Sequence, residues 1–214
     1  MSHAIIRALS FALCLAVASG AAAQAPSQAQ APSPVRLQIT TDLGVIDIEV
    51  DVARAPATSA NFLQYVDGGF FDGGQFHRAA RLETQAERPV KIEVVQASIN
   101  RERSKESFPP IALERTSVTG LKHTDGALSM ARSGPDSATS SFFICINDQP
   151  SLDLGGARNA DGQGFAAFGR VVAGMDVVRK IHQVPAKGET LTPPVRILEI
   201  ELVQVGRVGD GSTR

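Results

Sequence analysis

A chain of 214 residues, 43% apolar and 20% charged, is long enough for one domain with a sizeable core or at most two small ones. A formal net charge of −1 without acidic or basic blocks excludes the electrostatic footprint of a nucleic-acid binder and argues against long-range steering of a charged partner.

Residues 1–23 read as a processing segment. His3 and Arg7 make a weakly positive start, residues 8–18 are an apolar run too short for a stable membrane anchor, and Ala21-Ala22-Ala23 is the small-residue pattern accepted at a cleavage site. Leu13 before Cys14 is a poor fit to a lipid-attachment site, so the expectation is cleavage near Ala23-Gln24, export to the periplasm or beyond, and no membrane contact afterwards. Only Cys145 then remains, inside the run Phe142-Phe143-Ile144-Cys145-Ile146, and it reads as a buried, inert thiol. Without disulfides the domain must stand on its core alone.

Residues 24–34, QAPSQAQAPSP, have the composition of a disordered, extended tether. Residues 35–50 read as two strands around Asp42-Leu43-Gly44. Residues 56–66 read as a helix: Pro56 suits its first position, Phe62, Tyr65 and Val66 share a face, and Gly68-Gly69 can end it. Short strands are then expected over residues 76–80, 90–95, 127–131, 142–146 and 165–172, separated by glycine-rich loops. Residues 175–182 form a second helix with Arg179, Lys180 and His182 at its negative end. A last strand runs over residues 195–205, and residues 206–214 read as a flexible tail. About eight strands and two helices without βαβ alternation predict a mainly β domain over residues 35–205, an antiparallel sheet closed into a barrel. A barrel of that size is filled by its own side chains, so a site is expected on its outer wall or in a groove between loops.

Few motifs carry chemistry. His77, His123 and His182 are far apart and do not form a metal-ligand pattern. Asn159-Ala160-Asp161-Gly162 lacks the first and last ligands of a calcium loop and reads as a turn. Gly162-Gln163-Gly164 has the wrong spacing for a phosphate loop, and no Gly-x-Ser-x-Gly elbow is present. The stretch FDGGQFHR at residues 71–78 remains: a catalytic cluster, a metal site or the start of a strand. In a regular strand His77 and Arg78 point to opposite faces and Phe76 shares a face with Arg78, so the residues alone read as a surface cation covering apolar area.

The segment YVDGGFFDGGQFHR, residues 65–78, closely resembles the Phe-His-Arg segment of cyclophilins, the peptidyl-prolyl cis-trans isomerases. Further matches follow in the same order: Ala55-Pro56 with Asn61-Phe62, Leu128-Ser129-Met130-Ala131, Ser141-Phe142-Phe143-Ile144, Leu152-Asp153, Phe168-Gly169-Arg170-Val171 and Gly174-Met175-Asp176-Val177-Val178. The resemblance covers residues 35–205 and implies a cyclophilin-like fold, an eight-stranded antiparallel barrel closed by two α-helices. It implies Arg78 as the catalytic guanidinium. It implies substrate contacts from Phe143 as floor of a proline pocket, Leu152 as a wall, Gln96 on the substrate backbone and Ala131 beside the residue before proline, with Phe165, Val94 and His77 around them. The implied substrates are X-Pro-containing polypeptides, here those of exported proteins during folding, handled by a monomer without metal or cofactor.

The match has departures. An insertion, AARLETQAERPV, follows Arg78; aligned on Gln96, Glu93 and Val94 replace a Phe and a Met of the pocket, and Ala97-Ser98 replace two glycines. Ser141 and Arg132 stand where Gln and Asn are common, Ser151 replaces a frequent aromatic, and Phe165 a frequent His or Tyr. A smaller aromatic rim implies reduced activity on short peptides and weak cyclosporin binding. The competing expectation is a barrel of the same fold that binds peptides as a chaperone-like module with weak catalysis or none.

Overall fold

The computed structural model describes residues 32–203, so the expected signal segment, residues 24–31 of the expected tether, residues 204–205 of the expected last strand and the expected tail lie outside them. Nine strands form one antiparallel sheet: β1 (Val35–Thr41), β2 (Gly44–Val50), β3 (Gln75–Ala80), β4 (Val94–Ser98), β5 (Ala127–Met130), β6 (Phe142–Cys145), β7 (Ala167–Ala173), β8 (Ala186–Lys187) and β9 (Thr190–Leu202). Their order is β1-β2-β7-β5-β6-β4-β3-β9-β8, and β1 also pairs with β9, so eight strands close a ring and β8 hangs from β9 as a hairpin. This is the predicted barrel. Side chains alternate along each strand. Leu37, Ile39, Ile48, Val95, Ile144 and Phe168 fill the interior, as expected of a barrel too narrow for anything but its own side chains.

Helix α1 (Pro56–Asp67) runs one residue beyond the expected span and begins at Pro56, whose missing N–H is no loss there. The Glu114 carboxylate, distant in sequence, accepts hydrogen bonds from the Ala57 and Thr58 N–H groups at 3.1 and 2.7 Å, satisfying donors that the first turn leaves unpaired. The helix buries Phe62, Tyr65 and Val66 in the barrel core, where the Phe62 ring lies 5.4, 5.3 and 5.1 Å from those of Phe71, Phe142 and Phe168. A four-residue helix, α2 (Thr116–Thr119), was not anticipated. Helix α3 (Met175–Gln183) buries Val177, Val178 and Ile181 in the same core.

Two boundaries differ from expectation by four residues or more, at the starts of β4 and β9. The strand expected over residues 90–95 begins at Val94 and runs on to Ser98, where small Ala97 rather than a large apolar residue faces inward. Residues 90 and 92 belong to an irregular segment instead, pinned by the buried Gln85 side chain, which donates to the Ile92 carbonyl at 2.7 Å and accepts from the Ile92 N–H at 3.3 Å. Strand β9 starts at Thr190 rather than residue 195, because Thr190 and Leu191 pair with β8 and Thr190 also lies opposite Arg78.

A second apolar cluster sits on the outer wall of the barrel: Ala80, Ile92, Val94, Phe143, Cys145 and Leu152, with Ala127 at its edge. Cys145 is fully buried there as a free thiol, and burial pushes its pKa up, first by desolvation and then through Asp153 and its acidic neighbours.

Candidate active site

The outer cluster is the floor of a pocket of about 230 Å³. Six residues expected at a site line it: Arg78, Gln96, Ala131, Phe143, Leu152 and Phe165. Alternation explains how β4 and β6 contribute. Val95 and Ala97 of β4 face the interior while Gln96 faces out, and Gln96 pairs with Phe143 of β6, which also faces out between the inward Phe142 and Ile144.

Arg78 reaches the pocket by a different device. The register of β3 shifts between Phe76 and Arg78 against both β4 and β9, which marks a bulge at His77. The extra residue breaks the expected sharing of a face by Phe76 and Arg78: Phe76 is fully buried in the barrel interior, while Arg78 emerges on the outer wall. Upstream the chain must turn tightly, and a Cβ at Gly74 would sit 2.6 Å from the Ser98 carbonyl oxygen and 2.8 Å from that of Phe71.

Two partners hold the Arg78 guanidinium. Its Nε and Nη2 donate to Glu189 Oε2 at 2.9 and 2.8 Å, and its Nη1 donates to Gln96 Oε1 at 2.8 Å. A guanidinium has five N–H donors, so among the described residues one hydrogen on each terminal nitrogen is left for a ligand. Glu189 comes from the turn between β8 and β9 and was not foreseen; a lone Glu between Gly188 and Thr190 carries no local signal. Its Oε1 is buried without a hydrogen-bond partner among the described residues. Exchanging Glu189→Gln is expected to lower kcat about tenfold with the substrate constant within about twofold, because a mis-set donor loses rate rather than affinity. A loss carried by the substrate constant alone would refute this positioning role.

The Phe143 ring is fixed from both sides. Phe165 meets it edge-on at 5.4 Å, and His123 stacks on it at 6.1 Å and 17°. His123 is held in turn by Asp153 at Nδ1 (2.7 Å) and by the Ser129 hydroxyl at Nε2 (2.9 Å). A carboxylate can only accept, so Nδ1 carries a proton and donates it to Asp153; in the neutral imidazole Nε2 then accepts from the Ser129 hydroxyl. Burial opposes ionisation of Asp153, but the hydrogen bonds from His123 outweigh it and hold the carboxyl below its ordinary range. Serine, histidine and aspartate in a row resemble a hydrolytic triad, yet Ser129 is 0% exposed and cannot meet a substrate. The row is a clamp behind the pocket floor.

Two residues expected at the site are not in its lining. Val94 is 1% exposed and lies beneath the floor, where it packs in the outer cluster. His77 occupies the bulge, with Nδ1 buried and unpartnered among the described residues. The alignment placing Glu93 at the pocket's aromatic position is also corrected: Ile92 lines the pocket. The Glu93 carboxylate instead accepts from the Asn147 side chain at 3.2 Å, at an exposed contact. The rim therefore keeps apolar area where a charge was expected. Asp161, in the segment weighed as a calcium loop, gives both carboxylate oxygens to Arg132 at 2.8 and 2.9 Å, and its pKa is pushed down to about 2 by that pairing first and the Gln163 N–H second.

Burial depresses the His77 pKa, and the neighbouring Arg78 charge acts the same way, while a backbone contact at Gln75 opposes them. The unfolded chain then takes up the proton first as pH falls. Stability is complete above about 6.5, the ordinary imidazole value, and is lost as pH drops through the lower folded value. The urea midpoint is expected to fall less between pH 7 and 5 in His77→Asn than in the parent chain; equal falls would show that His77 is not the titrating group.

Comparison with known proteins adds a separate line. The family described as "Cyclophilin type peptidyl-prolyl cis-trans isomerase/CLD" matches residues 36–202. A peptidyl-prolyl cis-trans isomerase of Acinetobacter baylyi is 34% identical over 175 residues, covering 79% of this chain and 86% of that protein. Peptidyl-prolyl cis-trans isomerase B of Escherichia coli is 34% identical over 145 residues, covering 67% and 82%. In fold, the chain is similar to a cyclophilin type peptidyl-prolyl cis-trans isomerase of Cryptosporidium parvum, with a TM-score of 0.63 at 20% identity, covering 79% of this chain and 98% of that one.

Proposed function

The chain belongs to the cyclophilin-type peptidyl-prolyl cis-trans isomerases, and from that premise we propose that it turns X-Pro bonds in polypeptides folding outside the cytoplasm, with Arg78 as the catalytic group. The observation that carries this reading is the juxtaposition of a guanidinium with free donors and an apolar socket built from Phe143, Leu152 and Ile92.

The chemistry follows from the bond. Rotation about a peptide bond is opposed by about 18–20 kcal/mol because resonance gives it double-bond character. Before proline the two planar ends differ by only about 0.5–1 kcal/mol. A catalyst therefore needs no bond-making group; it must hold the twisted amide more tightly than the flat one. Twisting frees the prolyl nitrogen lone pair. The unpartnered N–H groups of Arg78 donate to that nitrogen, an interaction absent when the lone pair is delocalised. The socket holds the proline ring still while the preceding carbonyl swings, and Gln96 keeps the guanidinium in place from one side as Glu189 does from the other. A relative of similar fold, the Cryptosporidium protein, has been solved in the presence of the dipeptide Ala-Pro, which supports a proline ligand here.

Two measurements test the reading. NMR exchange spectroscopy on Xaa-Pro peptides is expected to show cis-trans exchange accelerated by catalytic amounts of protein; peptide binding without acceleration would support a chaperone-like module instead. Export is tested by sequencing the N-terminus of protein recovered from the periplasm or medium, expected to begin at Gln24. An unprocessed chain confined to the cytoplasm would refute it. The same preparation is expected to elute as a monomer.

A further inference from the structure

The pocket lining contains four arginines, Arg78, Arg88, Arg132 and Arg158, and neither an Asp nor a Glu. Two of them are matched by acids reaching in from behind: Arg78 by Glu189 and Arg132 by Asp161. The other two are not. Among the described residues Arg158 uses only Nη1, donating to Gln85 Oε1 and to the Val90 carbonyl, both at 2.7 Å, and has no acidic partner. Arg88 is exposed and makes no side-chain hydrogen bond or ion pair among those residues.

Both come from loops. Arg88 lies in the insertion after Arg78, and Arg158 in the loop between Leu152 and β7. The contacts of Arg158 with Gln85 and Val90 join the two segments across the pocket mouth. Arg81 anchors the insertion at its other end, donating to the His182 and Val184 carbonyls at the C-terminus of α3, both at 2.6 Å. Arg88 also lines an adjoining pocket of about 500 Å³, whose acids are Glu87 and Glu189. It therefore lines both pockets, within reach of chain flanking a proline seated in the first. Arg158 has its pKa lowered, first by burial and then by Arg88 and Arg78, with the Glu189 charge opposing them.

We infer that Arg88 and Arg158 select substrates: X-Pro segments carrying an Asp or Glu within about two residues of the proline. The inference rests on this pocket being the one that takes proline. An acidic flanking side chain would supply the counter-charge that Arg88 and Arg158 lack, while Glu87 faces the neighbouring pocket and would repel an acid placed further out. Rim charges of this kind act on selectivity, and they act less as salt screens them.

The test compares peptides that place Glu, or its neutral isostere Gln, at each of the two positions before and after proline. Affinity is read by NMR titration and turnover by exchange spectroscopy, at low and high ionic strength. At one or more positions the parent chain is expected to favour Glu over Gln roughly fivefold to tenfold at low salt, with the ratio shrinking as salt rises. The ratio is expected to approach one in an Arg88→Gln, Arg158→Gln double variant and to invert in Arg88→Glu. The single Arg88→Glu change leaves the Arg158 contacts in place and so stays informative if the double variant misfolds. A ratio of one at every position in the parent chain, or a ratio that Arg88→Glu does not move, overturns the inference. Failure of the isomerase reading would look different: slow exchange with all peptides, while the affinity ratio still reports on the arginines.

Discussion

Replacing Arg78 with Ala is expected to lower kcat/KM on an Xaa-Pro peptide by about 10²–10³-fold, the loss typical when one preorganised donor aimed at transition-state charge is removed. The loss should fall on kcat, because donation to the prolyl nitrogen develops only as the bond twists and contributes little to binding the planar peptide. Arg78→Lys is expected to recover little. An ammonium cannot reproduce the planar fork that donates to Glu189 and Gln96 at once and still keeps two N–H groups unpartnered among the described residues. Removing the guanidinium also leaves Glu189 without its partner, so Arg78→Ala should lose up to about 1–3 kcal/mol of stability. Circular dichroism and a urea titration separate that effect from the catalytic one. An Arg78→Ala chain that still accelerates exchange within about threefold of the parent would show that the twisted amide is stabilised by some other group.

How much of this was legible in the sequence depends on the range of the interaction. Period-two alternation placed β1 and β2 correctly, because each buries one face against a large core, whereas β6 was legible as a short unbroken apolar run, buried on both faces. Alternation misplaced β4, since the residues facing inward there include small Ala97, while the conspicuous apolar Ile92 serves a second, outer cluster. The resemblance in FHR located Arg78 within the chain. The face it occupies was not readable, because a single-residue bulge at His77 reverses the alternation and has no compositional mark. The least legible feature was Glu189. It meets Arg78 only because β9 closes the barrel beside β3, and no local pattern encodes a pairing that ring closure creates. The same holds for Arg158 and Gln85, brought together by two segments distant in sequence, one of them the insertion after Arg78.

Phe143→Ala should do the complementary damage, weakening substrate binding rather than the rotation step. The ring is 4% exposed, stacked on His123 and capped edge-on by Phe165, so it is both the pocket floor and part of the outer cluster. Truncating a buried Phe to Ala removes about 3–5 kcal/mol of stability. Loss of the flat surface that seats the proline ring should weaken peptide affinity by at least tenfold, since burying a side chain of that size contributes about 1.5–3 kcal/mol. Phe143→Leu separates the two effects: it keeps most of the apolar volume, and with it the fold, but offers no planar face for the ring. Its affinity for a proline peptide, followed by NMR titration, is expected to fall about fivefold to tenfold while exchange at saturating peptide stays within about threefold of the parent. That pattern is the inverse of Arg78→Ala, and it follows from a division of labour in which the socket immobilises one side of the bond and the guanidinium acts on its nitrogen. If Phe143→Leu instead lost turnover with affinity intact, the ring would be shaping the twisted state itself, and the socket and the charge would have to be treated as one device.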